Sequence, residues 1–157
     1  MNLEIKWGLV FSLASLIWVT GEYQLGLHDR YIARQAVLTN LFFFPAVLIM
    51  YLAVREKKRQ QGERISFAEA LLCGIGVSVI VAILAPVVQY SFSRWINPRF
   101  FEEMIRHSVA AGKLSPDQAR QHFNLNTYML MSSIGAIGAG GMTSLALAAL
   151  MRTRDAK

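Results

Sequence analysis

Few side chains in this sequence could do chemistry, and their spacing argues against most of it. An ionisable group inside a bilayer-length apolar segment is a functional suspect by default, because its desolvation is costly. Glu22 is the nearest case, but Tyr23 and Gln24 follow it at the end of an apolar run, so it reads as an interfacial carboxylate rather than a proton relay. Glu69 stands three residues after Ser66. That is capping-box spacing, in which the two side chains satisfy each other's backbone N–H groups at a helix start. His28, His107 and His122 lie far apart without ligand spacing, and Cys73 has no partner in the chain, so it reads as a small buried apolar residue. Neither a phosphate-cradling glycine loop nor a nucleophile–base pattern occurs. The expectation is therefore a protein that is not an enzyme, with no catalytic residue, cofactor or metal site. The other polar residues within apolar segments are Thr20, Asn40, Gln89 and Thr143. Asn40 and Gln89 are expected to make interhelical hydrogen bonds worth about 1 kcal/mol each; a substrate pathway through them is the alternative.

The elements that carry these residues follow from where charge is missing. No formal charge falls in 7–21, 35–54, 70–93 or 121–151. A helix needs roughly 20 apolar residues to cross a bilayer, and the first, shorter run is flanked by Lys6 and Glu22, which can snorkel to the interface. The fold class expected is all-α, an integral membrane four-helix bundle forming a single domain over residues 1–157. Its spans are read as 5–24, 35–54, 67–93 and 128–151, with Trp7, Tyr23, Tyr51, Trp95 and Tyr128 as interfacial anchors. Pro45 and Pro86 fall inside the second and third spans, where neighbouring helices can re-satisfy freed carbonyls, so a kink is expected at each. The first run reads as an uncleaved helix, since 19–23 makes a poor signal-peptide cleavage site.

The composition is 54% hydrophobic and 17% charged, which excludes a water-soluble domain of this size. The net charge of +6 then belongs with orientation and anionic head groups rather than nucleic acid. Segment 55–64 holds five basic residues, and Lys6, Arg152, Arg154 and Lys157 share its side. The other side carries Arg30, Arg34, Arg94, Arg99, Arg106, Lys113 and Arg120. Totals barely differ, so density beside helix ends decides, and both termini with the basic loop are expected in the cytoplasm. The lipid bilayer is the expected partner, with self-association or a second membrane protein beside it.

Two ladders of small residues stand out. Ser66, Ala70, Gly74, Ser78 and Ala82 fall four apart in the third span; Ser132, Ala136, Gly140, Ser144 and Ala148 repeat the same order in the fourth. Membrane helices gain little hydrophobic drive on meeting, so close van der Waals contact at such positions is what joins them. The ladders are expected to pack against each other, the alternative being that one faces a second protomer. In the long third loop, Asn97-Pro98 reads as an N-cap and first-turn proline. Ser115-Pro116-Asp117-Gln118 reads as a capping box. These give an extracytoplasmic helical hairpin over 98–111 and 116–123, with Gly112 as the stop. Phe100, Phe101, Met104 and Ile105 form its apolar strip. The strip covers the bundle or lies on lipid, with a docking surface as the functional alternative.

Several of these features coincide in one known pattern. Gly62, Ile65-Ser66-Phe67, Ala70-Leu71 and Gly74, then Ile96-Asn97-Pro98 and Phe100, resemble the signature of a bacterial membrane family called domain of unknown function 4199. Four spans, a Lys/Arg-rich second loop and a long polar third loop match it across nearly the whole chain. The resemblance implies a bacterial inner-membrane protein and carries over no catalytic residue. A structural or auxiliary subunit that binds a partner or itself is the function expected first. A small transporter or channel is the alternative, although small multidrug exporters need a mid-membrane carboxylate that this sequence lacks.

Overall fold

The computed structural model describes residues 2–28 and 31–153; Arg30, Arg154 and Lys157 of the charge pattern lie outside them. The described residues contain helices and no strand. In chain order these are α1 (Leu3–Gln24), α2 (Ile32–Thr39), α3 (Phe43–Gln60), α4 (Phe67–Ser91), α5 (Phe100–Ala110), α6 (Pro116–His122) and α7 (Leu125–Met151). Four helical stretches are long and apolar enough to cross a membrane: Leu3–Gln24, Val37–Gln60, Phe67–Ile96 and Leu125–Met151. The all-helical, four-span architecture read from the sequence is the one observed.

α4 and α7 form the axis of the bundle. A Cβ added at Gly74 would lie 2.7 Å from Ser144 Cβ, and one at Gly140 would lie 2.7 Å from Ser78 Cβ. The two contacts are reciprocal and share one antiparallel register, whose next rung pairs Ala70 with Ala148, both without exposed surface. α1 then lies parallel to α4, with Gly8 against the Ile80 side chain and Gly76 facing Glu4, whose Cγ would lie 2.9 Å from a Cβ added at Gly76. Only hydrogen fits at those glycines, so the backbones approach more closely than larger residues permit.

One end of the bundle is tied by charge. Lys6 Nζ donates to both Glu56 oxygens at 2.9 and 2.8 Å, and Trp7 Nε1 donates to Glu56 Oε2 at 2.9 Å. Lys58 Nζ donates to the Met151 carbonyl at 3.1 Å, a cation on the carbonyl end of α7 where the helix dipole favours it. Thr153 closes the same end by two bonds with the Ile65 backbone. The Ser66–Glu69 capping box that opens α4 is formed from both sides.

Some boundaries differ from the reading above, each for a local reason. The second span breaks at a 3-10 turn, Asn40–Phe42, and α3 starts afresh at Phe43. Pro45 lies inside the span Val37–Gln60 as expected, and the break falls on the turn before it, where its missing N–H cannot serve the Leu41 carbonyl. Asn40 is correspondingly exposed at the turn instead of buried between helices. α3 continues through most of the basic segment and stops at Gly62, whose φ of +73° suits glycine. α4 ends in a π turn, Phe92–Ile96, closed by the Asn97 N–H on the Phe92 carbonyl at 2.8 Å. That turn places Phe92 and Asn97 in the interior, so α5 starts at Phe100 with no side-chain cap, and Asn97 does not serve as its N-cap. Pro86 does lie inside α4. It cannot donate to the Ala82 carbonyl, and Ser133 Oγ of α7 donates there instead at 2.9 Å.

These contacts rank two substitutions. Gly74→Leu should overpack the axis and cost about 1–3 kcal/mol or more. Leu48→Ala, at a side chain 55% exposed, should cost within about 0.5 kcal/mol. Thermal unfolding in detergent checks the order; a larger loss for Leu48→Ala would mean that the axis is not the principal contact.

Candidate functional site

The small-residue ladders are spent mostly on the axis. Gly74, Ser78, Gly140 and Ser144 make its closest contacts, and Ser78 and Ser144 each donate to the carbonyl one turn back, Gly74 O and Gly140 O. Ala70 and Ala148 are fully buried. Ser66 is exposed and engaged in capping. Toward the other end Ala82, Ser132 and Ala136 are half-buried, and Ser132 and Ala136 border an open space.

That space is a cavity of about 550 Å³ between all four long helices, in the half of the bundle away from the charged end. The size falls in the ordinary range of ligand pockets. Met50, Ser78 and Gly140 lie at its floor, and Phe92 lies toward its far end. Among the described residues no Asp, Glu, Lys, Arg or His lines it, and its polar side chains are Ser12, Ser15, Ser78, Gln89, Ser132 and Thr143. The exposed lining residues are Phe43, Gly135, Ala139 and Met142, all on α3 and α7, so the cavity opens sideways between those helices. Gln89 thus borders open space, and Thr20 Oγ1 donates to Leu16 O in its own helix.

The other end carries a cap built on buried aromatic and polar groups. Glu22 is only 5% exposed, accepts from Trp18 Nε1 at 2.6 Å, and lies 3.4 Å from His28 Nε2. Gly26, at φ +73°, turns the chain back so that His28 meets the carboxylate. Glu22 lies at the end of α1, and its carboxylate is drawn into the protein, where two nitrogens face it. His28 also packs edge-on against Phe92 at 5.3 Å and Phe100 at 5.2 Å. Phe100 and Phe101 pack edge-on against Tyr128 at 5.6 and 5.2 Å. Of the proposed docking strip, Phe100 is 5% exposed and taken up by this cluster, while Phe101, Met104 and Ile105 are half-buried. α5 stops at Gly112 in a left-handed conformation, and α6 opens on the Ser115–Gln118 capping box.

Among the described residues, no group of three or more His, Cys, Asp or Glu could hold a metal ion. Cys73 is buried beside the axis. The reading of the sequence missed Glu22–His28, although the Trp18–Glu22 spacing of four and Gly26 between the partners were signals. Ser12 and Ser133 were missed too; a serine inside an apolar run gives no sign of whether it faces lipid or a neighbour.

Glu22→Ala should leave the Trp18 N–H without its acceptor and remove the carboxylate that lies 3.4 Å from His28, at a cost of about 1–3 kcal/mol. Glu63→Ala removes only an exposed 3.9 Å pair with Arg59, and should change stability by at most about 0.5 kcal/mol. Tryptophan fluorescence during denaturation reads both, and equal losses would mean that Glu22 is solvated.

A family model described as "Protein of unknown function (DUF4199)" matches residues 6–153, nearly the whole chain. No curated protein and no solved structure matches it.

Proposed function

The chain belongs to that family of unknown function, and from this premise we propose that it is a non-catalytic, multi-pass protein of the bacterial inner membrane that acts as a structural or auxiliary subunit. The observation that carries the reading is the closure of the bundle at its charged end. Ala53, Val54, Ala70, Val77 and Ala148 have no exposed surface there, and Gly74 meets Ser144 side chain to backbone. A cavity with a packed floor is a place to hold something and not a conduit. The lack of charge among its described lining residues argues the same way against proton-coupled transport, which needs a titratable group on the path. The cavity itself favours the second reading, a small transporter, which would have to part the α4–α7 axis to reach the other side. The exposed portions of Phe101, Met104 and Ile105, together with the apolar outer faces of the long helices, are the surfaces offered to a partner.

Two experiments bear on this. Purified in mild detergent, the protein should carry a defined protein partner or a second copy at fixed stoichiometry, and proteoliposomes containing it should pass ions and small cationic dyes no faster than protein-free vesicles. Flux that requires the protein and disappears in Ala139→Phe would favour the transporter. For orientation, the basic side chains on the last turns of α3, next to Lys6, support cytoplasmic termini. A reporter active only in the cytoplasm should work when fused after Lys157 and stay silent when inserted near Gly112. The reverse pattern would overturn the assignment.

A further inference from the structure

Pairing at the charged end of the bundle shows which of its cations are left over. Glu56 takes Lys6, Glu4 lies 3.8 Å from Lys57, and Glu63 lies 3.9 Å from Arg59. Glu69 accepts from Gln61 and from the Ser66 N–H, and Lys58 donates to the Met151 carbonyl. Arg55, Arg64 and Arg152 are exposed and have no carboxylate partner among the described residues. Two of these three are brought together by the backbone. Thr153 N–H donates to the Ile65 carbonyl at 2.8 Å, and Ile65 N–H donates to Thr153 Oγ1 at 3.0 Å. Arg64 and Arg152 each stand one residue before that clasp. They lie just beyond the neighbouring ends of two apolar spans, Phe67–Ile96 and Leu125–Met151, which is the depth of lipid head groups.

An apolar groove leads away from this pair. Successive helical residues are turned by about 100°. Val77 and Leu147, each one residue before an axis position, pack with Met50 and Ala53 of α3. Residues one position after the axis rows therefore look away from α3, and the antiparallel register puts both rows on the same outer flank. Phe67, Ile75 and Leu145, which follow Ser66, Gly74 and Ser144, are all exposed there. Leu145 also lies about two turns before Arg152, on one stripe of α7. We propose that Arg64 and Arg152 hold the phosphate of an anionic glycerophospholipid, one acyl chain of which lies in the outer groove between α4 and α7. Guanidinium forks match phosphate oxygens in geometry as well as charge. An anionic head group without an amine follows from the pairing, because an arriving ammonium would meet no spare carboxylate among the described residues. A lipid rather than a soluble phosphate follows from the groove, which continues the arginine pair with apolar surface. This site goes beyond the auxiliary role and does not depend on it, since a subunit and a transporter could each hold such a lipid.

The test uses the full chain in phosphatidylcholine nanodiscs, with phosphatidylglycerol carrying a diazirine on one acyl chain as the probe. Photolabelling should saturate, map to the outer flank of α4 and α7, and yield to unlabelled phosphatidylglycerol far more than to phosphatidylethanolamine. Arg64→Gln with Arg152→Gln should weaken the apparent affinity about thirtyfold, roughly fivefold for each cation near the surface, with thermal stability unchanged. Arg55→Gln with Arg59→Gln removes the same number of cations from α3, and at about 0.15 M salt should change affinity no more than about twofold. Should the first double variant unfold, Arg152→Gln alone is read instead, with a loss of about fivefold expected. The proposal is overturned by unchanged affinity in the Arg64 and Arg152 variants, or by equal competition from phosphatidylethanolamine. An equal loss in the Arg55 and Arg59 variant overturns it too, since the attraction would then be a diffuse surface potential. So does labelling spread equally over Leu13, Ile17 and Leu48, or displacement by glycerol 3-phosphate as effective as that by the lipid, which would mark a site for soluble anions.

Discussion

The close approach of α4 and α7 is the constraint on which the rest of the bundle depends. Water expels apolar side chains from itself, but lipid does not, so helices in a hydrocarbon environment are joined by close contact and short polar bonds. Gly74 against Ser144 and Gly140 against Ser78 supply that contact twice, in opposite senses along one antiparallel register. The same serines return their hydroxyl protons to their own helices, so the close packing leaves no unpaired polar group at its centre. Pro86 frees a carbonyl on α4, and α7 is near enough for Ser133 to answer it. Packing and hydrogen bonding thus point to one arrangement of the pair.

Asymmetry between the two halves follows from that pair. Near the charged end, α1 and α3 close over the axis, with Gly8 under Ile80 and with Lys6, Trp7 and Glu56 tying their ends together. Toward the other end the 3-10 turn at Asn40–Phe42 interrupts the second span, and small residues on α7 leave its side of the space thin. The cap then fixes the far rim through Glu22, His28 and the rings of Phe92, Phe100 and Tyr128. One half is consequently a packed support, and the other is a chamber with apolar walls and a side entrance.

Much of this was legible in the sequence. Uncharged runs of bilayer length announce the spans, and glycine, serine and alanine four apart announce the axis, because both signals are local and periodic. The Ser66–Glu69 and Ser115–Gln118 boxes were readable for the same reason. The family resemblance, drawn from short motifs around the start and end of α4, holds across residues 6–153. What escaped were features set by neighbours. Asn97-Pro98 looks like a helix start, yet the π turn before it buries Asn97 and moves the start to Phe100. Glu22 at a helix end gives no sign that its side chain is buried, which depends on Gly26 bringing His28 back to it. A cavity is a failure of four helices to meet, and no single stretch of sequence carries that information.

The account rests on α4 and α7 pairing within one chain. In a Cys73→Ser background, Ala70→Cys with Ala148→Cys places two thiols on the next rung of the observed register, at positions that share one core cluster. Oxidation in native membranes should give a disulfide inside the monomer, read as a faster-migrating single chain with no dimer. A band at twice the mass, formed in preference to the internal crosslink, would show that each ladder faces another protomer, and would contradict the arrangement from which the support and the chamber were derived.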